Sequence, residues 1–506
     1  MELVQKMSSL LFTVIRNDLM LLSFLLPLFT LLFFDFMKRR RRWSQYPPGP
    51  MPLPFIGTIM QIDSRKPHLS FKQLSKKYGN IYSLQNFYTN VVVLNGYKTV
   101  KEAIGHNSED FADRPPFVMQ NHIADYKQGL ILARYNQTYK ELRKFLLTAL
   151  KEFGMGKKSL EEQVAKEAEY LCSAFKSQEG LPFDPHYLLN NAVSNIICSL
   201  TFGHRFDYED QEFQKLLLLF ENSMGEVVGL LPQLIEIAPC LLYIPTLRKK
   251  ISENQSRMIA YIYKMVKSHI DTWDSSCRRD IIDAFLEEIK KRKKDVKSGF
   301  NYDRLYGMIV ELFGAGTETV TTTLRWALVY LSLYPEVQRK VQEEINEVIG
   351  KNRSSKTEDQ ASMPYTHAVI NEIQRLADVT PLMLPHVAYR DTVLQGFFIP
   401  KGTTVLINLS SVLKDETIWE KPLTFYPEHF LDEKGQYVKR EAFLPFSAGS
   451  RMCLGEQLAK TELFIFLTTL LQNFTFRLSD KSMLKDDGRW GFTIAPPAFQ
   501  IQALPR

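Results

Sequence analysis

From Tyr302 to Leu333 the apolar residues recur at helical spacing with no proline, and the run stops just before Pro335. Most of the remaining chain has the same periodicity, so the fold is expected to be mostly α with a small β portion. Strand signals are few. Ile81 to Leu84 and Val91 to Leu94 flank a polar turn and read as a hairpin, closed by Asn95-Gly96. Short β segments recur near Phe474 to Leu478 and Phe492 to Leu504. Inside the long run stands Gly314-Ala315-Gly316-Thr317-Glu318-Thr319. Two glycines within a helix cost about 1 kcal/mol each relative to alanine, so a packing or functional reason is expected.

The chain has 506 residues with 45% apolar content, enough for one continuous core. A net charge of +7 is a modest excess, part of it concentrated in one run, and gives no case for a nucleic-acid partner. That run, Lys38-Arg39-Arg40-Arg41-Arg42, follows a stretch from Leu19 to Met37 that is almost wholly apolar and has Asp35 as its one charged residue. About 19 residues give roughly 28 Å of helix, sufficient for a bilayer core. The positive-inside rule keeps the basic run cytosolic and the short N-terminus lumenal. A cleaved signal peptide would have the opposite charge order and a small-residue cleavage site. Tyr46-Pro47-Pro48-Gly49-Pro50 then forms a stiff joint. Residues 1–37 are thus expected to be the anchor, 38–50 a stop-transfer run and hinge, and 51–506 the globular body. Val227 to Leu242 is greasy but broken by Pro232 and Pro239; it reads either as a core helix pair or as a monotopic membrane contact.

Five cysteines are present, and none of their spacings suits a zinc knuckle or a redox pair. Cys172, Cys198, Cys240 and Cys277 read as buried or incidental thiols of a reducing compartment. Cys453 differs. It sits in Phe446-Ser447-Ala448-Gly449-Ser450-Arg451-Met452-Cys453-Leu454-Gly455. Gly449 and Gly455 permit tight backbone approach, and Arg451 supplies a nearby cation, the conditions under which a thiolate can persist as a metal ligand.

This segment resembles the haem-thiolate loop of cytochromes P-450, with every fixed position of F-x-x-G-x-R-x-C-x-G present. Three further segments are similar to vertebrate microsomal family 2 enzymes: Met363 to Glu372, Ile399 to Thr404 and Phe430 to Gly435. Glu441 to Gly449 is nearest the D-type branch. The resemblance covers essentially the whole chain and implies a single cytochrome P-450 domain behind a transmembrane anchor. It implies haem b ligated by Cys453 and cradled by Phe446, with Ala315 and Gly316 giving it room against the long helix. It also implies propionate contacts from Arg114, Arg143, His386 and Arg451, with Tyr139 where the family commonly has tryptophan. Glu318 and Thr319 match the acid–alcohol pair that relays protons to dioxygen. Glu372 and Arg375 match a buried E-x-x-R pair. His429 stands where a third member is usually arginine, which would make the charge of that network sensitive to pH.

For substrate, the resemblance points to Glu311, at the place of an amine-holding aspartate. It also points to Val227 (on the pocket roof, beside Glu226), Ile131 and Phe492. A basic amine and a neutral fatty acid or steroid remain alternative substrates. No flavin or nicotinamide motif is present, so electrons are expected from NADPH through cytochrome P-450 reductase, with cytochrome b5 as a further donor. The basic helix bearing Lys140, Arg143, Lys144 and Lys151, with Lys157 and Lys158 beyond, is either a solvated face or the dock for that acidic partner. The implied activity is an endoplasmic-reticulum monooxygenase acting on a lipophilic small molecule. The alternatives are a haem-thiolate isomerase or dehydratase of lipid peroxides and a non-catalytic haem-binding membrane protein.

Overall fold

The computed structural model describes residues 23, 25–38, 46–87, 89–117, 129–226, 230–295, 298–480, 488–491 and 493–506. The long helix spans Tyr302–Leu333. The Asn301 side chain caps it by accepting the Arg304 N–H, worth about 1 kcal/mol. It ends because Tyr334, preceding Pro335, is pushed out of helical geometry to ψ 71°. Leu305, Ile309, Phe313, Leu324, Leu328 and Leu331 along this helix enter one large core.

Helix His186–Phe202 packs closely against the long helix. A Cβ at Gly316 would lie 2.4 Å from Ile197 Cδ1, and one residue on Ser194 Oγ meets Thr317 Oγ1 at 3.2 Å. The helix-weakening glycine is therefore required by this crossing. Gly316, expected to give haem room, also admits Ile197 where a Cβ would stand.

Ile81–Asn86 and Thr89–Leu94 form the expected hairpin, in register from Ile81↔Leu94 to Asn86↔Thr89. Thr404–Ile407 adds parallel to the second strand, and His386–Val387 completes this four-stranded sheet. Phe474–Leu478 pairs antiparallel with Ile501–Pro505. The expected Phe492 to Leu504 segment is divided, because Ile494–Ala495 pairs with Arg489–Trp490 instead. Pro496 and Pro497 intervene and cannot donate to a ladder.

Helix Pro364–Ala377 carries the buried ion network. Arg375 and Glu372, both fully buried, form two 2.7 Å bonds. The guanidinium also donates to the carbonyls of Leu413, Pro422 and Thr424. His429 Nε2 accepts the Lys421 N–H at 3.1 Å, while Nδ1 faces Glu372 Oε2 at 3.1 Å. The ring therefore has its hydrogen on Nδ1 and a bare Nε2. His429 is thus the third member of the network, joined to the Glu372 carboxylate and to the Lys421 main chain.

Residues 25–38 are helical and expose Leu25, Leu26, Phe29, Leu31, Phe33 and Phe34. Asp35 Oδ2 accepts the Phe55 N–H at 3.2 Å. Among the described residues no helix is long and apolar enough to cross a membrane; residues 19–22, 24 and 39–42 of the expected anchor and basic run lie outside them. Of the greasy segment, residues 227–229 also lie outside. Leu230–Ile237 is a helix and Pro239–Tyr243 a 3-10 turn, with Ile235 and Leu242 packed on Ile251 and Tyr243 88% exposed.

Replacing Glu372 by Ala leaves Arg375 charged and enclosed. Denaturant unfolding should show a loss of about 3–5 kcal/mol, far beyond that of an exposed ion pair.

Candidate active site

The Cys453 loop is shaped by one contact. Gly449 has φ +70°, and a Cβ there would stand 1.9 Å from the Ile104 carbonyl oxygen. Ser447 is also left-handed, at φ +64°. The Cys453 N–H returns to the Phe446 carbonyl at 3.0 Å, and helix Glu456–Asn473 begins just beyond Gly455. Cys453 is exposed. The atoms crowding its sulfur push the thiol's pKa up, while the N–H groups of Gly455 and Glu456 and the charge of Arg143 act to lower it. Sulfur at a helix N-terminus beside a guanidinium is an arrangement that favours thiolate once a metal offers compensation. The Phe446 ring lies in the same loop, 5.6 Å from the Lys460 ammonium.

Beside it, cations gather with only neutral partners. Arg114 donates to the carbonyls of Leu384 and Pro385 at 2.8 Å each and to Ile131 at 3.2 Å. Arg451 donates to Ala112, Leu130 and Ala133, and its guanidinium lies 3.8 Å from the centre of the Tyr139 ring. Arg143 reaches Met452 O at 2.8 Å and Tyr139 Oη at 3.4 Å, and Tyr139 in turn donates to Ser450 O. Burial and the neighbouring Arg451 depress Arg114 to about 9, and burial lowers Arg451. His386 Nδ1 bonds the Phe111 carbonyl at 2.6 Å, so Nδ1 carries the hydrogen, and its buried Nε2 has no partner among the described residues. Burial, then Arg114 and Arg451, hold the ring's pKa well below its usual value. His386 was expected among the propionate contacts, and Nε2 is the ring atom that could make one. The nearby Asp113 is already paired with Arg134.

On the long helix the acid and alcohol are adjacent in sequence but turned about 100° apart. Thr319 Oγ donates to Ala315 O at 2.8 Å. Glu318 Oε1 accepts from Thr493 at 2.7 Å and from Thr322 at 3.3 Å. Two turns earlier Glu311 is engaged by a loop: its Oε1 accepts the Gly129 N–H at 3.0 Å, and Oε2 accepts Leu130 and Ile131 at 2.7 and 2.6 Å. The approach is so tight that a Cβ on Gly129 would lie 2.7 Å from the Met308 backbone. Burial raises the Glu311 pKa, against the lowering effect of these amides. The carboxylate expected to hold substrate is thus occupied by main chain. Ile131 lies in that loop beside it. Val227 and Phe492 lie outside the described residues.

Sequence reasoning missed Thr493 and the Gly129–Ile131 amides. A threonine gives no signal of its partner, and a backbone N–H has no letter in the sequence.

The profile of the cytochrome P-450 family matches residues 47–503. The chain belongs to this family. A bovine (Bos taurus) relative, cytochrome P-450 2D14, is 49% identical over 481 residues, 94% of this chain and 96% of its own. A pig (Sus scrofa) protein named vitamin D(3) 25-hydroxylase is 47% identical, over 97% of this chain and 99% of its own. A rat (Rattus norvegicus) relative, cytochrome P-450 2D4, is also 47% identical, over 95% and 98%. These D-type relatives belong to a family of haem monooxygenases. Haem fits the residues present: a sulfur framed by amides, a flanking Phe446, and guanidiniums whose carbonyl partners leave their charge unbalanced, as two propionates would balance it.

Glu311→Gln places an amide NH2 against loop N–H donors. A loss of about 1–3 kcal/mol in stability is expected, read by thermal unfolding of the haem protein, together with a similar weakening of basic and neutral ligands in spectral titrations.

Proposed function

We propose that this chain is a membrane-anchored monooxygenase of the endoplasmic reticulum that inserts one oxygen atom of dioxygen into a lipophilic small molecule. The balanced reaction is RH + dioxygen + NADPH + H+ giving ROH + water + NADP+, with the two electrons carried by cytochrome P-450 reductase and cytochrome b5 as an additional donor. The observation that carries the reading is Cys453, framed by two helix-terminal amides beside three guanidiniums that have no carboxylate partner among the described residues. Haem bound here would supply the iron at which dioxygen is activated, its thiolate ligand favouring O–O cleavage.

The chain's own groups divide the remaining tasks. Arg114, Arg143 and Arg451 hold propionate charge, and Tyr139 keeps Arg143 and Arg451 oriented by its hydroxyl and its ring face. His386, held through Nδ1 to the Phe111 carbonyl, offers Nε2 to a propionate. Thr319 Oγ, held to Ala315 O, stands ready to pass its proton and recover one, and the half-buried Glu318 carboxyl takes protons from solvent. The E-x-x-R network with His429 keeps the segments around it in place. Residues 1–37 serve as the anchor, 38–50 as the hinge and 51–506 as the catalytic body, with the short N-terminus lumenal.

Substrate preference leans to neutral lipophilic molecules, with Ile131, Val227 and Phe492 at the pocket. Glu311 already accepts three backbone donors, so a cationic amine would have to share or displace them, and both ions pay desolvation on entry. The name of the pig relative, vitamin D(3) 25-hydroxylase, agrees with this.

For electron entry, a groove of about 430 Å³ beside the loop is lined by Tyr139, Lys140, Arg143, Lys144, Lys151 and Ser450. Lys140, Lys144 and Lys151 are exposed, suiting an acidic partner guided by opposite charge.

Two measurements test the reading. The reduced, CO-bound spectrum of the wild type should show the thiolate-type Soret band and Cys453→Ala should lose it; a band that survives rejects the ligand assignment. Lys144→Glu with Lys151→Glu should raise the reductase concentration for half-maximal turnover by about threefold or more, an effect that salt diminishes. Turnover without reductase would instead place the chain with isomerases.

A further inference from the structure

Thr493 lies in the C-terminal hairpin, 175 residues from Glu318 in sequence, and is 3% exposed. Its hydroxyl donates to Glu318 Oε1 at 2.7 Å, the shorter of that oxygen's two contacts; the other, from Thr322, is at 3.3 Å. The threonine is held from both sides. Its carbonyl accepts the Gly491 N–H at 3.0 Å, and the next residue donates its N–H to Val379 O at 2.9 Å. The Ile494 carbonyl receives the indole N–H of Trp326, on the long helix itself, at 2.8 Å. The hairpin is thus fastened to the same helix that carries Glu318.

We infer that Thr493 is a positioning residue that fixes the Glu318 carboxyl for proton delivery. This rests on the reading of Glu318 as a proton-relay group. A hydroxyl suits the task because it can donate to a carboxylate and accept from a carboxylic acid. The contact therefore survives both halves of a proton transfer, with the proton held at or leaving a Glu318 oxygen. Valine has the same shape and can do neither. Without the hydroxyl, Glu318 keeps only the longer Thr322 contact from its own helix and is free to turn toward other rotamers.

The test compares the haem-loaded wild type with Thr493→Val, Thr493→Ser, Glu318→Gln and the Val/Gln double variant, reconstituted with reductase and NADPH. Product and hydrogen peroxide formed per NADPH are measured, with the CO spectrum as the check on integrity. Thr493→Val should lower product per NADPH about threefold to tenfold, a fraction of what general acid–base catalysis contributes. Peroxide should rise correspondingly and KM should not move. Serine should restore coupling to within about twofold, and the double variant should be no worse than Glu318→Gln. Independently of turnover, the melting-temperature losses of the two single substitutions should sum to more than the loss of the double.

Normal coupling in Thr493→Val beside an uncoupled Glu318→Gln overturns the inference and leaves the relay standing. Normal coupling in Glu318→Gln removes the relay and the inference with it. Equal losses in the Val and Ser variants, or strictly additive melting shifts, reduce Thr493 to packing and overturn the proposal.

Discussion

A single buried guanidinium organises the segment between the sheet and the cysteine loop. Arg375 has no solvent contact, so each of its N–H groups needs an acceptor, and Glu372 alone cannot supply them all. The carbonyls of Leu413, Pro422 and Thr424 complete the set. Irregular chain is thereby wrapped around one cation, and His429 and the Tyr426 N–H close the carboxylate side. The charge is expensive to bury, and that expense makes the geometry strict: any loosening exposes unpaired donors.

The long helix meets competing demands within two turns. Glu311 is drawn to a loop, Gly316 to Ile197, and Glu318 to the C-terminal hairpin. Successive positions face different neighbours because each residue advances about 100° around the axis. The same periodicity separates Thr319 from Glu318, so the alcohol returns to its own helix while the acid reaches outward.

The sequence announced those features that depend on residue type and spacing. Pro335 marked the end of the long helix, two short apolar runs on either side of a polar turn marked the hairpin, and the glycines and arginine around Cys453 marked its loop. A small residue such as Gly316 reveals that something comes close, but not whether it is a cofactor or a neighbouring helix. The letters of His429 and His386 do not say which ring nitrogen carries a hydrogen. Their hydrogens are assigned by a backbone N–H and a backbone carbonyl, which every position possesses. The partners of Glu311 were hidden for the same reason, since the donors that meet it belong to the main chain.

The loop from Gly129 to Ala133 has a further consequence. Its N–H groups turn toward Glu311 and its carbonyls toward Arg114 and Arg451. The peptide unit joining Leu130 to Ile131 turns its carbonyl to Arg451 and its N–H to Glu311, and the unit joining Gly129 to Leu130 turns its carbonyl to Arg304 and its N–H to the same carboxylate. Each is polarised in the same sense by the charges at its ends. Gly129 is fixed by its approach to the Met308 backbone and Leu130 by the core, but the half-buried Ile131 is attached through main chain alone, which any residue except proline can supply. The side chain at Ile131 can therefore change while the electrostatic frame beneath stays intact, which separates variation at that surface from the charges that hold the loop.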